Sequence, residues 1–211
     1  MRFAREAWPI VLPVLALAVS SFLCVAFLHN HAMLVPAIIF SIIGLVLLSF
    51  FRDPARRVPD GVGKVVSPAD GKVLRTETLA DGRKHVAIFL SVFNVHVNRV
   101  PYGGQVDNVT QIPGAYFHAG TERAEGNARV DVQAHSDHGP VAWRQVSGAI
   151  ARKIACSLKS GDRVKTGDRF GLIYFGSRMD VFLPACAVIV AKPGEKVLAG
   201  ESVIAEFPTK E

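Results

Sequence analysis

"GDRVKTGDRFGLI", residues 161–173, returns near the C-terminus as "GEKVLAGESVIAE", residues 194–206. Both follow one frame: glycine, acid, base, valine, two further residues, glycine, acid, one residue, then an apolar residue. A glycine followed by an acid marks a turn. Glycine reaches backbone angles closed to other residues, and a carboxylate on a short stem can bond the local backbone. A valine caught between two such turns leaves room for a short strand, and the apolar run after the second turn reads as a longer one. The repeat is therefore a turn, a short strand, a turn and a longer strand, used twice.

The neighbouring text has the same character. "GKVVSPADGKVL", "KHVAIFLSVFNVHVNRV", "GQVDNVTQI", "ARVDVQAHS", "DRFGLIYFG", "DVFLPACAVIVA" and "SVIAEF" are β-rich pieces cut by glycine and polar turns. Strands at this spacing indicate a mainly β domain, a barrel or sandwich. "VAWRQVSGAIARKIAC" places Val146, Ile150 and Ile154 at helical spacing, although valine and isoleucine suit strands equally, and the sequence leaves both open. The repeated frame resembles the hammerhead elements of biotinyl and lipoyl carrier domains. Those domains present a lysine on an exposed hairpin tip, "MKM" or "DKA", and this chain has neither. The likeness speaks to fold and not to function.

The 211 residues make one domain, or one domain with an appendage, and the appendage is N-terminal. Half of the residues are hydrophobic, and the mean hydropathy of +0.29 is concentrated at that end. No charged residue occurs from Trp8 to Leu28, nor from Met33 to Phe51. Each run has about the 20 residues that a helix needs to cross a bilayer. A cleavable signal peptide is the competing reading of the first run, but the second follows after only "HNHA" and a small-residue cleavage site is lacking. The expected organisation is a transmembrane hairpin within residues 1–57, with helices at about 8–28 and 33–51, and a β-rich domain at 58–211. Arg2 and Arg5 precede the first run, and Arg52, Arg56 and Arg57 follow the second. Basic residues stay on the cytoplasmic side, so both ends belong in the cytoplasm.

The net charge of +6 is compatible with an anionic membrane face. No basic run is interleaved with aromatics as a nucleic-acid groove requires, so nucleic acid is not an expected partner. Cys24, Cys156 and Cys186 lack metal-ligand or disulfide spacing and read as buried structural thiols, and no metal site is expected.

Three polar points interrupt the strands. "SPADG", Ser67 to Gly71, has the composition of a simple turn. "SVFNVHVNRVP" read as one strand puts Asn94, His96 and Asn98 on a single face, continuing the apolar face of Ile88, Leu90 and Val92. A strand whose apolar face turns polar is entering a site or meeting solvent. In "FGSRMD", Gly176-Ser177 reads either as a glycine bulge or as a reactive pair. A hydrolase elbow needs G-x-S-x-G before a helix, whereas Ser177 lacks the second glycine and strand-like text follows. "HSDH", His135 to His138, reads as a solvated loop, and His85 and His118 have no partner legible in the sequence.

"ARKIACSLKSGDRVKTGDRFGLIYFGSRMDVFLP" closely resembles the C-terminal signature of phosphatidylserine decarboxylase proenzymes of the short membrane-bound prokaryotic form. "SPADG" and "NVHVNRVP" are similar to that family's other two signatures, in the same order. The resemblance implies a pyruvoyl-dependent decarboxylase that converts phosphatidylserine to phosphatidylethanolamine at the cell (inner) membrane, with the catalytic domain cytoplasmic. It implies autocatalytic cleavage between Gly176 and Ser177. Ser177 would become the covalent pyruvoyl cofactor that condenses with the substrate amine, with His96 and Asp70 as its acid/base partners. The partners implied are the phosphatidylserine substrate, the large and small subunits cut from one proenzyme, and further homo-oligomerisation. This chain departs from the longer relatives in carrying Arg99 where they have a second histidine and "SR" where they have "ST". "GTERAEGNARVD" matches the family's acidic "NERN" region only loosely. The alternative reading is a non-enzymatic, membrane-tethered β-domain of the carrier or adaptor kind, which would remain an intact chain. A pyruvoyl decarboxylase of soluble amino acids would leave the hairpin without a purpose.

Overall fold

In the computed structural model, which describes residues 2–149, 153–174 and 176–208, the chain divides after Ala55 into two units. In the first, strand β1 (Arg2–Phe3) pairs antiparallel with β2 (Arg52–Asp53), so the two ends of the unit meet. Between them run α1 (Trp8–Leu28) and α2 (Leu34–Phe50). Pro9 lies in the first turn of α1, where a missing N–H breaks no helix bond, and Pro13 lies inside the helix. The turn between the helices uses His29 at φ 52° and the Asn30 side chain, which accepts from the Ala32 amide at 3.2 Å. Met33 belongs to that turn rather than to α2. Small residues lie between the helices: Ala18, Ser21, Ala37 and Gly44 are buried. A Cβ added at Gly44 would come within 2.9 Å of the Leu15 side chain. Small residues allow this close approach, as they do between helices in lipid. Leu12, Phe27 and Leu45 stay exposed. The helical stretches of 24 and 20 residues, each with mean hydropathy 2.6, could both cross a membrane by length and composition.

The second unit is β-structure. Its strands are β3 (Lys64–Val66), β4 (Gly71–Thr78), β5 (Lys84–Leu90), β6 (Val97–Arg99), β7 (Gly104–Ile112), β8 (Arg129–Ser136) and β9 (Gly139–Val146). They continue with β10 (Ile154–Cys156), β11 (Arg163–Val164), β12 (Arg169–Ile173), β13 (Ser177–Leu183), β14 (Val188–Ile189), β15 (Lys196–Val197) and β16 (Val203–Glu206). Eight form one antiparallel sheet in the order β11-β7-β8-β9-β13-β5-β4-β15, and two smaller sheets have the orders β10-β12-β6 and β14-β16-β3.

The sequence repeat has equivalent places in this arrangement. Its short strands, β11 and β15, are the two edges of the large sheet, and its longer strands, β12 and β16, are the centres of the two small ones. The four turn glycines, Gly161, Gly167, Gly194 and Gly200, have φ between 74° and 91°. At three of the turns the following acid accepts a backbone N–H three residues before it: Asp162 from Lys159, Asp168 from Lys165 and Glu195 from Lys192. Inside the unit, Val86, Ile88 and Leu90 of β5 pack with Met179, Val181 and Leu183 of β13, and with Val132, Trp143 and Phe170. A strand alternates its faces, so β13 sends Arg178 and Asp180 to the other side of the sheet, where both are also buried.

Two expectations are corrected and one open reading is decided in part. "SVFNVHVNRVP" is not one strand: β5 ends at Leu90 and β6 starts at Val97. The Asn94 side chain accepts from the Ser91 amide at 2.9 Å and the Ser91 hydroxyl at 2.7 Å. That local bond competes with the ladder and makes a turn. Around the stretch left open, Val146 ends β9 and Ile154 begins β10, while Ile150 lies outside the described residues. Cys186 is exposed and Cys24 and Cys156 are half-buried, so none of the three is a fully buried structural thiol.

Candidate functional site

Ser177 opens β13, where it pairs with Leu90 of β5 without a register shift, so the glycine before it makes no bulge. Gly176 has φ 69°, a conformation that side-chain-bearing residues rarely adopt, and this explains glycine at that position. Ser177 is 0 % exposed, and its Oγ has no hydrogen-bond partner among the described residues. Leaving a buried hydroxyl unsatisfied costs about 1–3 kcal/mol, and such a group in a native fold calls for a functional explanation.

His96 is fully buried against the same backbone. The Gly176 amide donates to His96 Nε2 at 3.3 Å, and His96 Nδ1 lies 2.9 Å from the Asn94 carbonyl oxygen. A carbonyl only accepts, so the proton sits on Nδ1 and Nε2 presents its lone pair to Gly176. The turn that broke the expected strand is what supplies this carbonyl. His96 therefore reaches the residue before Ser177 rather than the Ser177 hydroxyl itself.

Gly148, buried just beyond β9, faces the carbonyl of Gly176. A Cβ added at 148 would overlap the Gly176 carbonyl oxygen. A hydrogen fits there and a methyl does not. Nothing in the sequence pattern singles out this glycine, because its neighbour is non-local.

Asp70 stands apart from this pair. Its carboxylate accepts from Arg56 Nη2, with both oxygens at 2.7 Å, and from the Ala199 amide at 2.8 Å. Neither His96 nor Ser177 is among its partners in the described residues. "SPADG" does reach the His96 segment through backbone, because the Arg99 amide donates to the Pro68 carbonyl at 2.9 Å. The Arg99 guanidinium donates to the Gly167 carbonyl at 3.1 Å, on a turn of the first repeat.

Beside Gly176 lies a cavity of about 220 Å³ walled by Phe89, Val92, His118, Ala119 and Ala149, with Ser91 at its edge. His118 Nδ1 accepts from the Gly120 amide at 3.2 Å, which leaves its proton on Nε2. His85, also without a legible partner in the sequence, stacks on Phe182 at 4.6 Å and bonds Glu77 at 2.8 Å. Its other nitrogen lies 3.5 Å from Asp180. Burial pushes the Asp180 carboxyl up, but His85 and Arg178 outweigh it and hold the group below the usual carboxylate range. In "HSDH", His138 stacks on Phe207 at 4.6 Å and meets the Tyr102 hydroxyl at 2.9 Å, so it is packed rather than solvated. No cluster of metal-ligating side chains occurs among the described residues.

The sequence was compared with known proteins. The family model for phosphatidylserine decarboxylase matches residues 43–205. A phosphatidylserine decarboxylase proenzyme of Syntrophus aciditrophicus is 40 % identical over 212 residues, covering 97 % of each chain. The proenzyme of Prosthecochloris aestuarii is 38 % identical, covering 98 % of each. That of Streptomyces avermitilis is 40 % identical, covering 95 % of this chain and 91 % of its own.

Proposed function

Because the chain belongs to the phosphatidylserine decarboxylase family, we propose that it cuts itself between Gly176 and Ser177 and then converts phosphatidylserine to phosphatidylethanolamine and CO₂. One observation carries the reading: a buried serine hydroxyl without a partner among the described residues follows a glycine in the left-handed region, whose N–H is held by a histidine lone pair.

Ser177 Oγ attacks the Gly176 carbonyl carbon while His96 Nε2 exchanges its bond to the Gly176 amide for the hydroxyl proton. The Gly176–Ser177 C–N bond breaks as a C–O ester bond forms, and His96 passes the hydroxyl proton to the freed Ser177 nitrogen. Removal of the Ser177 Cα proton expels the Gly176 carboxylate. Water then replaces the nitrogen, which leaves as ammonia, and a pyruvoyl end remains at position 177. Gly148 gives the attacked carbonyl room to become tetrahedral.

The site fits this group, because the cavity reaches Gly176 and is largely apolar. The pyruvoyl group supplies an electron sink for loss of CO₂ from an amine-bearing substrate. Phe89, Val92, Ala119 and Ala149 give the departing carboxylate apolar walls. His96, already relieved of the serine proton, takes up a proton from solvent at Nε2 and delivers it to the substrate carbon that has lost CO₂. Asp70 is a brace: it ties Arg56 and Ala199 to the turn whose Pro68 carbonyl holds the strand after His96. The two apolar helices hold the enzyme in the inner membrane, with the catalytic unit on the cytoplasmic side, where the lipid headgroup is within reach.

The test is Ser177→Ala against the parent chain on a denaturing gel. The parent runs as two pieces, with the smaller blocked to N-terminal sequencing. Ser177→Ala runs as one and makes no phosphatidylethanolamine. A folded parent chain that stays whole rejects the proposal.

A further inference from the structure

Arg178 is the second residue after the cut, and it is 2 % exposed. Its guanidinium meets two carboxylates: Nε lies 2.9 Å from Asp180 and Nη2 lies 3.0 Å from Glu125. These contacts differ in kind. Asp180 is two residues along the same strand and reaches the neighbouring strand β5 through His85 at 3.5 Å, so that pair ties β13 into its own sheet and not to the cavity wall. Glu125 belongs to a separate short helical turn, Glu122–Gly126. Among the described residues it is the one side chain of another segment that Arg178 bonds. Glu125 is itself steadied by Arg75 of β4 at 2.5 Å.

The same segment builds a wall of the cavity. His118 and Ala119 line it, and Asn127 closes the segment behind them. The Asn127 side chain accepts from the Phe117 amide and donates to the Phe117 and Ser147 carbonyls, each at 2.8 Å. Glu125 therefore connects the cavity wall to Arg178, the second residue of β13.

We infer that Glu125, through Arg178, is a positioning residue that holds the new end of β13 against the cavity after the chain is cut. The inference rests on the cleavage reading above. Before cleavage, residue 177 is held on both sides by covalent bonds. Afterwards it is a chain end, and strand ends fray. Ser177 pairs with β5, while the pairing with β9 begins only at Arg178, so backbone bonds on one side alone would restrain it. The ion pair to Glu125 supplies the missing restraint, and it does so one residue from the reacting carbonyl. This gives "SR" a reason in place of "ST": the arginine reaches across the sheet face where a threonine is too short.

Glu125→Gln is the direct test, because the Glu125 side chain is 47 % exposed and its replacement buries nothing new. The variant is expected to cut itself as the parent does and to keep the parent's melting temperature. Its kcat on phosphatidylserine in mixed micelles falls about tenfold with KM little changed, as for a misplaced reacting group. Reductive trapping of the end group with methylamine and cyanoborohydride, read by mass, becomes faster because the end is loose. Glu125→Asp, which keeps the charge, recovers part of kcat, and Glu122→Gln behaves as the parent. Parent-like kcat and trapping in Glu125→Gln overturn the inference, and so does a loss of cleavage, since the restraint acts only after the cut. A parent chain that is never cut overturns the cleavage reading, and this inference with it; that failure shows in the parent, the others only in the variant.

Discussion

At the scale of single residues, the account rests on where protons and hydrogens sit around one peptide bond. His96 has its proton turned to the Asn94 carbonyl and its lone pair turned to Gly176, the tautomer a base requires. Replacing His96 by alanine is expected to leave most of the chain uncut, because a positioned base contributes ~10²–10⁴ in rate. If His96→Ala instead cuts normally but releases no CO₂, the histidine serves turnover alone. Normal cleavage together with normal decarboxylation removes it from the chemistry. Gly148→Ala puts a methyl where the Gly176 carbonyl oxygen lies. Displacing a reacting group by about 1 Å costs roughly 10²-fold, so a time course of processing should show a slowing of that order. Gly126→Ala is the control, since a Cβ there meets nothing within 4 Å. Equal processing in the two variants contradicts the role given to Gly148.

At the scale of elements, the legible parts are those with a local cause. The turn glycines of the repeat, the alternation along β13 and the uncharged runs of α1 and α2 all carry their reason in neighbouring residues. "SVFNVHVNRVP" misled because alternation alone looks like a strand, whereas an asparagine side chain bonding three residues back overrides it. The ion pairs Arg56–Asp70 and Arg178–Glu125, and the notch at Gly148, join residues far apart in the chain, and no periodicity announces them. Asp70 was legible as a site residue by resemblance, but its actual partners were not. The helical elements carry their own prediction. A reporter fused after Glu211 should be cytoplasmic and one inserted in "HNHA" external, because the arginines flank the outer ends of the hairpin. The reverse pattern refutes the orientation and leaves the chemistry standing.

For the molecule as a whole, the central claim is that one chain becomes two and that Ser177 becomes the reactive end of the second. Family membership makes the chain a decarboxylase, and the covalent state of residue 177 tests the self-cleavage and the pyruvoyl group directly. The measurement that reaches this most directly is the intact mass of the purified protein. The account predicts two species, one ending at Gly176 and one beginning at residue 177. The second should be lighter by one ammonia than a fragment with an ordinary serine terminus. A single species with the full mass of the folded chain, or a small fragment that keeps its serine amine, would contradict it.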